Sequence, residues 1–317
     1  MRVAILGAGV SGLTCGVRLL EDGHDVTIVA RELAPSTTSA VAGAVWFPYR
    51  VAPNERTAPW AEASYRRFAA LAAEQDDVPI EMVELTMLYP EPLGEEPWWL
   101  DAVPAERVRA STPEELPEGY GDGRAVQVPC IEAPAYLDWL VRRFRHGGGR
   151  FDPRAVTAFE ELPGQAVIDC AGVGAAALAG DQTLQPVRGQ VAYVRCESPL
   201  RFMVDEEGAN ALAYVLPRRD VVVLGGTAEE GDDDLTPRDH TTRDILERTA
   251  RLQPELSNAA LIGTAVGLRP ARPAVRLELD ATGDGRPLIH DYGHGGSGFT
   301  LSWGCADEVA RTVTTVS

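Results

Sequence analysis

Apolar positions along this chain repeat with different periods in different stretches. Val3 to Leu6 is an unbroken apolar run, Ser11 to Glu21 carries apolar residues at helical spacing, and Asp25 to Ala30 returns to a β-prone run. An unbroken run suits a parallel strand buried on both faces, so the succession predicts a βαβ unit. Helical spacing recurs over Ala58 to Gln75, Ala133 to Arg145, Thr242 to Leu252 and Gly298 to Thr312. Ala166 to Gly172 reads as a buried strand ending in small residues, as where a parallel strand faces a nucleotide.

Elsewhere the pattern changes. From Asp76 to Ala125, Pro, Glu and Trp become frequent and short β-prone runs such as Met82 to Leu88 appear, which suggests an inserted second domain. Gln190 to Arg195, Ala213 to Pro217 and Val221 to Leu224 alternate with period two, predicting antiparallel sheet. Ala265 to Pro270 leads back to the first domain. Pro35 to Ala40 is a polar loop, Glu229 to Asp234 reads as a solvated loop, and apolar, glycine-containing Ala42 to Tyr49 suits a segment against a ligand. The expected class is α/β: a Rossmann-like βαβ nucleotide domain (1–50, 131–185, 262–317) interleaved with a mostly antiparallel α+β substrate domain (51–130, 186–261).

Composition narrows the partners. The 317 residues are 45% hydrophobic and 24% charged, ordinary for a globular protein of one or two domains. No apolar stretch is long enough to span a membrane, and the apolar start is too short for a signal peptide, so a cytoplasmic location is expected. A net charge of −18 speaks against nucleic acid and anionic membranes. The chain has no lysine, which removes Schiff-base catalysis by that residue. The five cysteines show no metal spacing and read as reduced and structural. His290 and His294 stand four apart with Gly293 between them, and no metal is expected.

Gly7-x-Gly9-x-x-Gly12 lies between the first strand and the first helix. Such glycines permit a tight turn, close approach of a pyrophosphate and close helix–strand packing, while the helix N-terminus offers free N–H groups. Glu32 stands where a ribose-binding acid is expected, with Arg31 beside it. Near the other end, Gly293, Gly295, Gly296 and Gly298 pave a loop before the last helix. Together the two ends suggest a long dinucleotide, FAD in preference to NAD. Arg269 and Arg272 lie in a proline-bracketed segment suited either to bidentate carboxylate recognition or to inter-domain ion pairs. Tyr214, Tyr49 and Trp46 suit packing or ligand contact. No Ser-His-Asp set, phosphate-binding Walker loop or paired-carboxylate pocket stands out, so the chemistry leans on a cofactor.

Leu288-Ile-His-Asp-Tyr-Gly-His-Gly-Gly-Ser-Gly298, followed by Gly304-Cys-Ala306, resembles the signature of the D-amino acid oxidases. The resemblance covers nearly the whole chain, including Ala30 to Glu32, Thr37 to Ser39, Gly43 to Tyr49, Leu184 to Gln190, Tyr214 to Pro217 and Gly267 to Pro273. Asp291 departs from the residues more usual there. The resemblance implies FAD as cofactor. Gly7, Ala8, Gly9, Ser11 and Gly12 would then meet the pyrophosphate, and Arg31 and Glu32 the adenosine. Thr38, Ser39, Gly43, Ala44 and Val45 would run along the pyrophosphate and flavin, with Val156 and Ala171 near the adenine and ribityl. Gly293, Gly295, Gly296, Ser297, Gly298, Phe299 and Thr300 would cradle the ribityl and the pyrimidine end.

By the same resemblance Arg269 clamps the substrate α-carboxylate, Tyr214 hydrogen-bonds it, and the Gly296 carbonyl accepts from the amine. Val45, Phe47, Tyr49, Met203 and Leu212 are the side-chain pocket. The lid-loop tyrosine of many members is absent; Asn210 stands in that short segment. The implied reaction is hydride transfer from the α-carbon of a D-amino acid to flavin N5, then reduction of oxygen to peroxide, with no side-chain base. The amine enters neutral, and the imino acid leaves to hydrolyse. A D-aspartate oxidase should carry a further arginine or histidine; Ala228 after Gly225-Gly226-Thr227 favours neutral substrates. Glycine or sarcosine oxidase, a flavin dehydrogenase and an FAD protein without turnover are the other readings. A homodimer is implied as common among such proteins.

Overall fold

The computed structural model describes residues 1–74 and 77–317. Gln75, the expected end of the second helix, and Asp76, the expected start of the inserted segment, lie outside the described residues.

Strand β1 (Arg2–Leu6), helix α1 (Val10–Glu21) and strand β2 (Asp25–Val29) form the expected βαβ unit, with the strands parallel from Arg2 opposite Asp25 to Leu6 opposite Val29. Then come α2 (Thr57–Glu74), β3 (Ile80–Tyr89), β4 (Val108–Ala110), β5 (Asp122–Ile131), α3 (Ala133–His146), β6 (Arg150–Asp152), β7 (Ala166–Asp169) and α4 (Ala175–Leu178). The remainder is β8 (Gln185–Arg195), β9 (Phe202–Asp205), β10 (Ala213–Pro217), β11 (Val222–Gly225), β12 (Glu229–Glu230), α5 (Asp239–Leu252), β13 (Ala260–Ala281), β14 (Pro287–His294) and α6 (Gly298–Thr315).

The strands join one sheet in the order β4-β5-β3-β9-β10-β11-β8-β13-β14-β7-β1-β2-β6, with β12 against β8. From β14 to β6 every pairing is parallel; beyond β13 the sheet is antiparallel except between β3 and β9. Strand β13 connects the two regimes, pairing with β8 through Ala271 and with β14 at Ala271 and, after a register shift, from Arg276 onward. Pro270 and Pro273 sit where the strand changes partner, so their missing N–H groups cost no continuous ladder.

Helices α1 and α6 pack against each other, with α3 against α1 and α2 against α6. In α6, Trp303 is buried and its indole N–H donates to the Tyr136 hydroxyl at 3.0 Å. A Cβ at Gly304 would overlap the Trp60 backbone, so only glycine lets α2 and α6 cross this closely.

One stretch departs from the sequence expectation. Glu229 to Asp234 is not simply a solvated loop, because it wraps a fully buried arginine. Arg188 pairs with the Glu229 carboxylate and donates to the carbonyls of Asp234 at 2.6 Å and Thr236 at 2.7 Å. A guanidinium buried this deeply needs a charged partner and several acceptors. Meeting that need draws Glu229 and Glu230 into a short strand.

Candidate active site

A cavity of about 570 Å³ runs along the C-terminal ends of β1, β2, β7 and β14 and continues into the antiparallel half. The end of a parallel sheet is where an open α/β fold places its ligands. Gly7 has φ +106°, and a Cβ there would strike the Cys170 carbonyl; one at Gly12 would strike the Gly7 carbonyl. The backbones of β1, β7 and α1 therefore meet only because these positions are glycine. Gly9 caps α1 without a side-chain cap, and no acid stands in the first turn. The Val10 N–H donates to Ser39 Oγ at 3.0 Å. The positive end of α1 thus faces the cavity, a cradle suited to a pyrophosphate. Arg31 and Glu32 pair at 3.3 Å at the open end of the cavity.

The opposite wall comes from the loop before α6, stitched to the segment after Gly43. The Gly295 N–H donates to the Pro270 carbonyl at 2.9 Å, and a Cβ there would overlap the Arg50 carbonyl. The Gly296 N–H and the Ser297 hydroxyl both donate to the Tyr49 carbonyl, at 3.2 and 2.9 Å. Thr300 Oγ1 donates to the Phe47 carbonyl at 2.8 Å and accepts from the Phe47 N–H at 3.2 Å. Helix α6 also has no acid in its first turn, and Gly298, Phe299 and Thr300 line the cavity. A second helix N-terminus, 18 residues long, therefore favours negative charge at that end.

Where the cavity enters the antiparallel half, Arg269 lies over Gly189 of β8. Its Nη1 donates to the Thr227 carbonyl at 2.8 Å, and its guanidinium stands 5.4 Å from the Tyr49 ring centre. Arg269 has no carboxylate partner among the described residues. The Tyr214 ring lies over Gly225 and Gly226, where a side chain would overlap it. Burial raises the pKa of its hydroxyl, against the pull of Arg269, so the group stays protonated and able to donate.

Of the expected pocket residues, Val45, Phe47, Tyr49 and Leu212 line the cavity. Met203 does not: it packs with Leu88, Ala213 and Leu252 on the far side of β9. Side chains alternate along a strand, so its neighbour Val204 takes the cavity face. Ala8, Ser11, Thr38, Ala44, Val156 and Ala171 line the cavity, whereas Gly12, Gly293 and Ser297 stand behind its surface. Gly293 has φ +83° and packs against Arg272, whose Nε donates to Asp181 at 2.8 Å. Thr227, not Ala228, faces the cavity.

Asp291 is buried, with Oδ1 3.1 Å from His294 Nε2 and Oδ2 3.4 Å from Cys15 Sγ. Cys170, whose Sγ lies 3.7 Å from the same Oδ2, is held protonated by its hydrogen bond with Cys15 and by burial. His290 stands apart, 3.1 Å from Asp169. Sequence reading did not single out Val204, Glu206, Thr227 and Gly189 as cavity residues, and Phe202 to Asp205, three apolar residues and one acid, carries no period that would have marked Val204.

A sequence pattern that defines the FAD dependent oxidoreductases matches residues 2–312. A D-amino-acid oxidase from Rubrobacter xylanophilus is 43% identical over 311 residues, covering 98% of this chain and 94% of that protein. The chain belongs to the D-amino-acid oxidase family of FAD-dependent oxidoreductases. Another relative, a D-aspartate oxidase from Homo sapiens, is 36% identical over 324 residues, 98% of this chain and 94% of that one. The glycine oxidase of Geobacillus kaustophilus shares the fold at a TM-score of 0.84 and 21% identity, over 100% of this chain and 95% of that one. The chain is thus an enzyme with FAD as its cofactor. The two uncapped helix N-termini and the glycine cradles of Gly7 and Gly9 fit a bound dinucleotide, as family membership requires.

Proposed function

We propose that the protein catalyses oxidative deamination of neutral D-amino acids, giving a 2-oxo acid, ammonia and hydrogen peroxide. The observation that carries this reading is Arg269, a guanidinium without an acid partner among the described residues, beside Tyr214 at the inner end of the dinucleotide cavity. A desolvated guanidinium with free donors recognises a carboxylate in bidentate fashion. FAD, when bound, supplies the acceptor for a hydride from the substrate α-carbon.

The residues of this chain bind and orient. Arg269 and the Tyr214 hydroxyl hold the α-carboxylate. The Gly296 carbonyl accepts from the α-amine. Phe47, Leu212 and Val204 meet the side chain and exclude water. Three fixed points on one carbon admit one enantiomer, and no base is needed if the amine enters neutral. Positioning of this kind accounts for roughly 7–11 kcal/mol of barrier in favourable cases.

A neutral substrate is supported by the apolar Val45, Phe47, Val204 and Leu212 along the cavity; Arg31 and Arg154 line the adenosine end. The two-part division, with 1–50, 131–185 and 262–317 holding FAD and 51–130 and 186–261 holding substrate, belongs to the same proposal. It is supported by the change from parallel to antiparallel pairing at β13. No helix among the described residues is long and apolar enough to cross a membrane. A cytoplasmic enzyme that uses oxygen and works as a homodimer completes the proposal.

Anaerobic mixing of the yellow holoenzyme with D- and L-amino acids tests it. Bleaching by neutral D-forms and not by L-forms is expected. Bleaching by D-aspartate alone would transfer the assignment to the acidic-substrate branch, and no bleaching by any D-amino acid would refute the reading.

A further inference from the structure

The substrate end of the cavity holds one acid that the proposed reaction does not use. Glu206 opens the loop between β9 and β10 and lines the same cavity as Arg269, Leu212 and Val204. The neighbouring acids of the cavity are committed. Asp205 accepts from the N–H groups of Gly208 at 2.6 Å and Asn210 at 3.0 Å and from the Tyr120 hydroxyl. Asp291 is engaged by His294, and Glu32 lies at the adenosine end beside Arg31. Glu206 is half-buried and has no hydrogen bond or ion pair among the described residues.

Its surroundings are defined on every side. Glu207 follows it in the loop, Arg50 approaches from the segment after Tyr49, and Tyr89 faces it from β3. Arg50 is already paired with Glu230. Glu206 also borders a smaller hollow of about 340 Å³, walled by Met87, Tyr89, Trp98 and Trp99. Arg269 is not among the charges that act on Glu206. The cavity therefore presents a cation and an anion that stand apart instead of neutralising each other.

We propose that, beside the neutral substrates, the cavity also takes cationic D-amino acids, with Glu206 anchoring a side-chain subsite that receives the terminal ammonium or guanidinium while Arg269 holds the α-carboxylate. This rests on the reading of Arg269 as the carboxylate clamp. The apolar and aromatic walls of the adjoining hollow suit an aliphatic stem and the face of a cation. A charge-assisted contact in a half-buried site is stronger than its exposed counterpart.

Burial, then repulsion from Glu207, lifts the Glu206 carboxyl to about 7, with Arg50 pulling the other way. Glu206 is therefore neutral below that pH and anionic above it, and preference for a cationic side chain grows as pH rises through this range.

The test uses the holoenzyme and two substrates of equal stem, D-lysine and D-norleucine, from pH 6 to pH 9. The ratio of their kcat/KM values cancels effects common to both. It should rise with pH through about 7 in the parent, and Glu206→Gln should lower it about tenfold at pH 8 and flatten its pH dependence. D-norleucine turnover should survive in Glu206→Gln, which establishes folding and an intact carboxylate clamp. A ratio unchanged by the substitution, with D-norleucine still oxidised, overturns the subsite alone. Failure of the parent to oxidise D-norleucine or any other D-amino acid overturns the reading of Arg269 as well.

Discussion

Arg269 shows how a residue's chemistry is set by what it lacks. Arg188, Arg272 and Arg276 each meet an acid, whereas among the described residues Arg269 meets the Thr227 carbonyl and the Tyr49 ring and no acid. Replacing Arg269 with Ala should raise KM by about 100-fold or more while the flavin absorbance is retained, because a charged hydrogen-bonding partner is lost at the substrate and not at the cofactor. Steady-state kinetics beside the visible spectrum would check this; unchanged KM would remove Arg269 from the site. From its own segment the sequence left Arg269 open between clamp and ion pair. Among the described residues the structure gives Arg269 no acid to pair with and room over Gly189, and nothing in a one-dimensional pattern reveals that a distant glycine makes room for a guanidinium. Met203 failed for a related reason: the β9 run is too short for its two faces to be told apart before its neighbours are known.

The elements were more legible than the contacts between them. The βαβ unit, α3, α5, α6 and the alternating β8, β10 and β11 follow from periodicity, because each buries a face or stripe large enough to leave its period in the sequence. β13 was seen only in part. Its prolines read only as brackets around Arg269 and Arg272, and its continuity comes from switching partners at that point. The pairing places Gly189 opposite Gly267, two residues before Arg269. Gly189→Ala would introduce a Cβ within the guanidinium of Arg269, a flexible group that would yield before the sheet does. The expected result is a rise in KM approaching 100-fold with FAD binding and melting temperature nearly unchanged, since a misplacement near 1 Å costs about that much. A KM equal to the parent's would show that Arg269 tolerates the displacement.

Across the whole molecule, the cofactor cavity is walled by β1 and α1 on one side and by β14 and α6 on the other. FAD would bind the folded state and not the unfolded chain, so it should stabilise by about 2.7 kcal/mol at a hundredfold excess over its Kd. Thermal melting of the apoprotein against added FAD would measure the shift. A melting temperature independent of FAD concentration would contradict closure of both walls on the cofactor.

That arrangement also has a temporal consequence. α1 begins at Val10 and α6 at Gly298, so the two helix N-termini that face the cavity are separated by about 290 residues of chain. Contacts of such sequence separation form slowly, after shorter loops have closed. During synthesis the opening βαβ unit leaves the ribosome early, yet it waits for nearly the whole chain before its cavity has a second wall. Loading with FAD is therefore expected only once α6 has been made. Until then the nascent chain holds half a binding site, and its exposed seam is where chaperones would be needed.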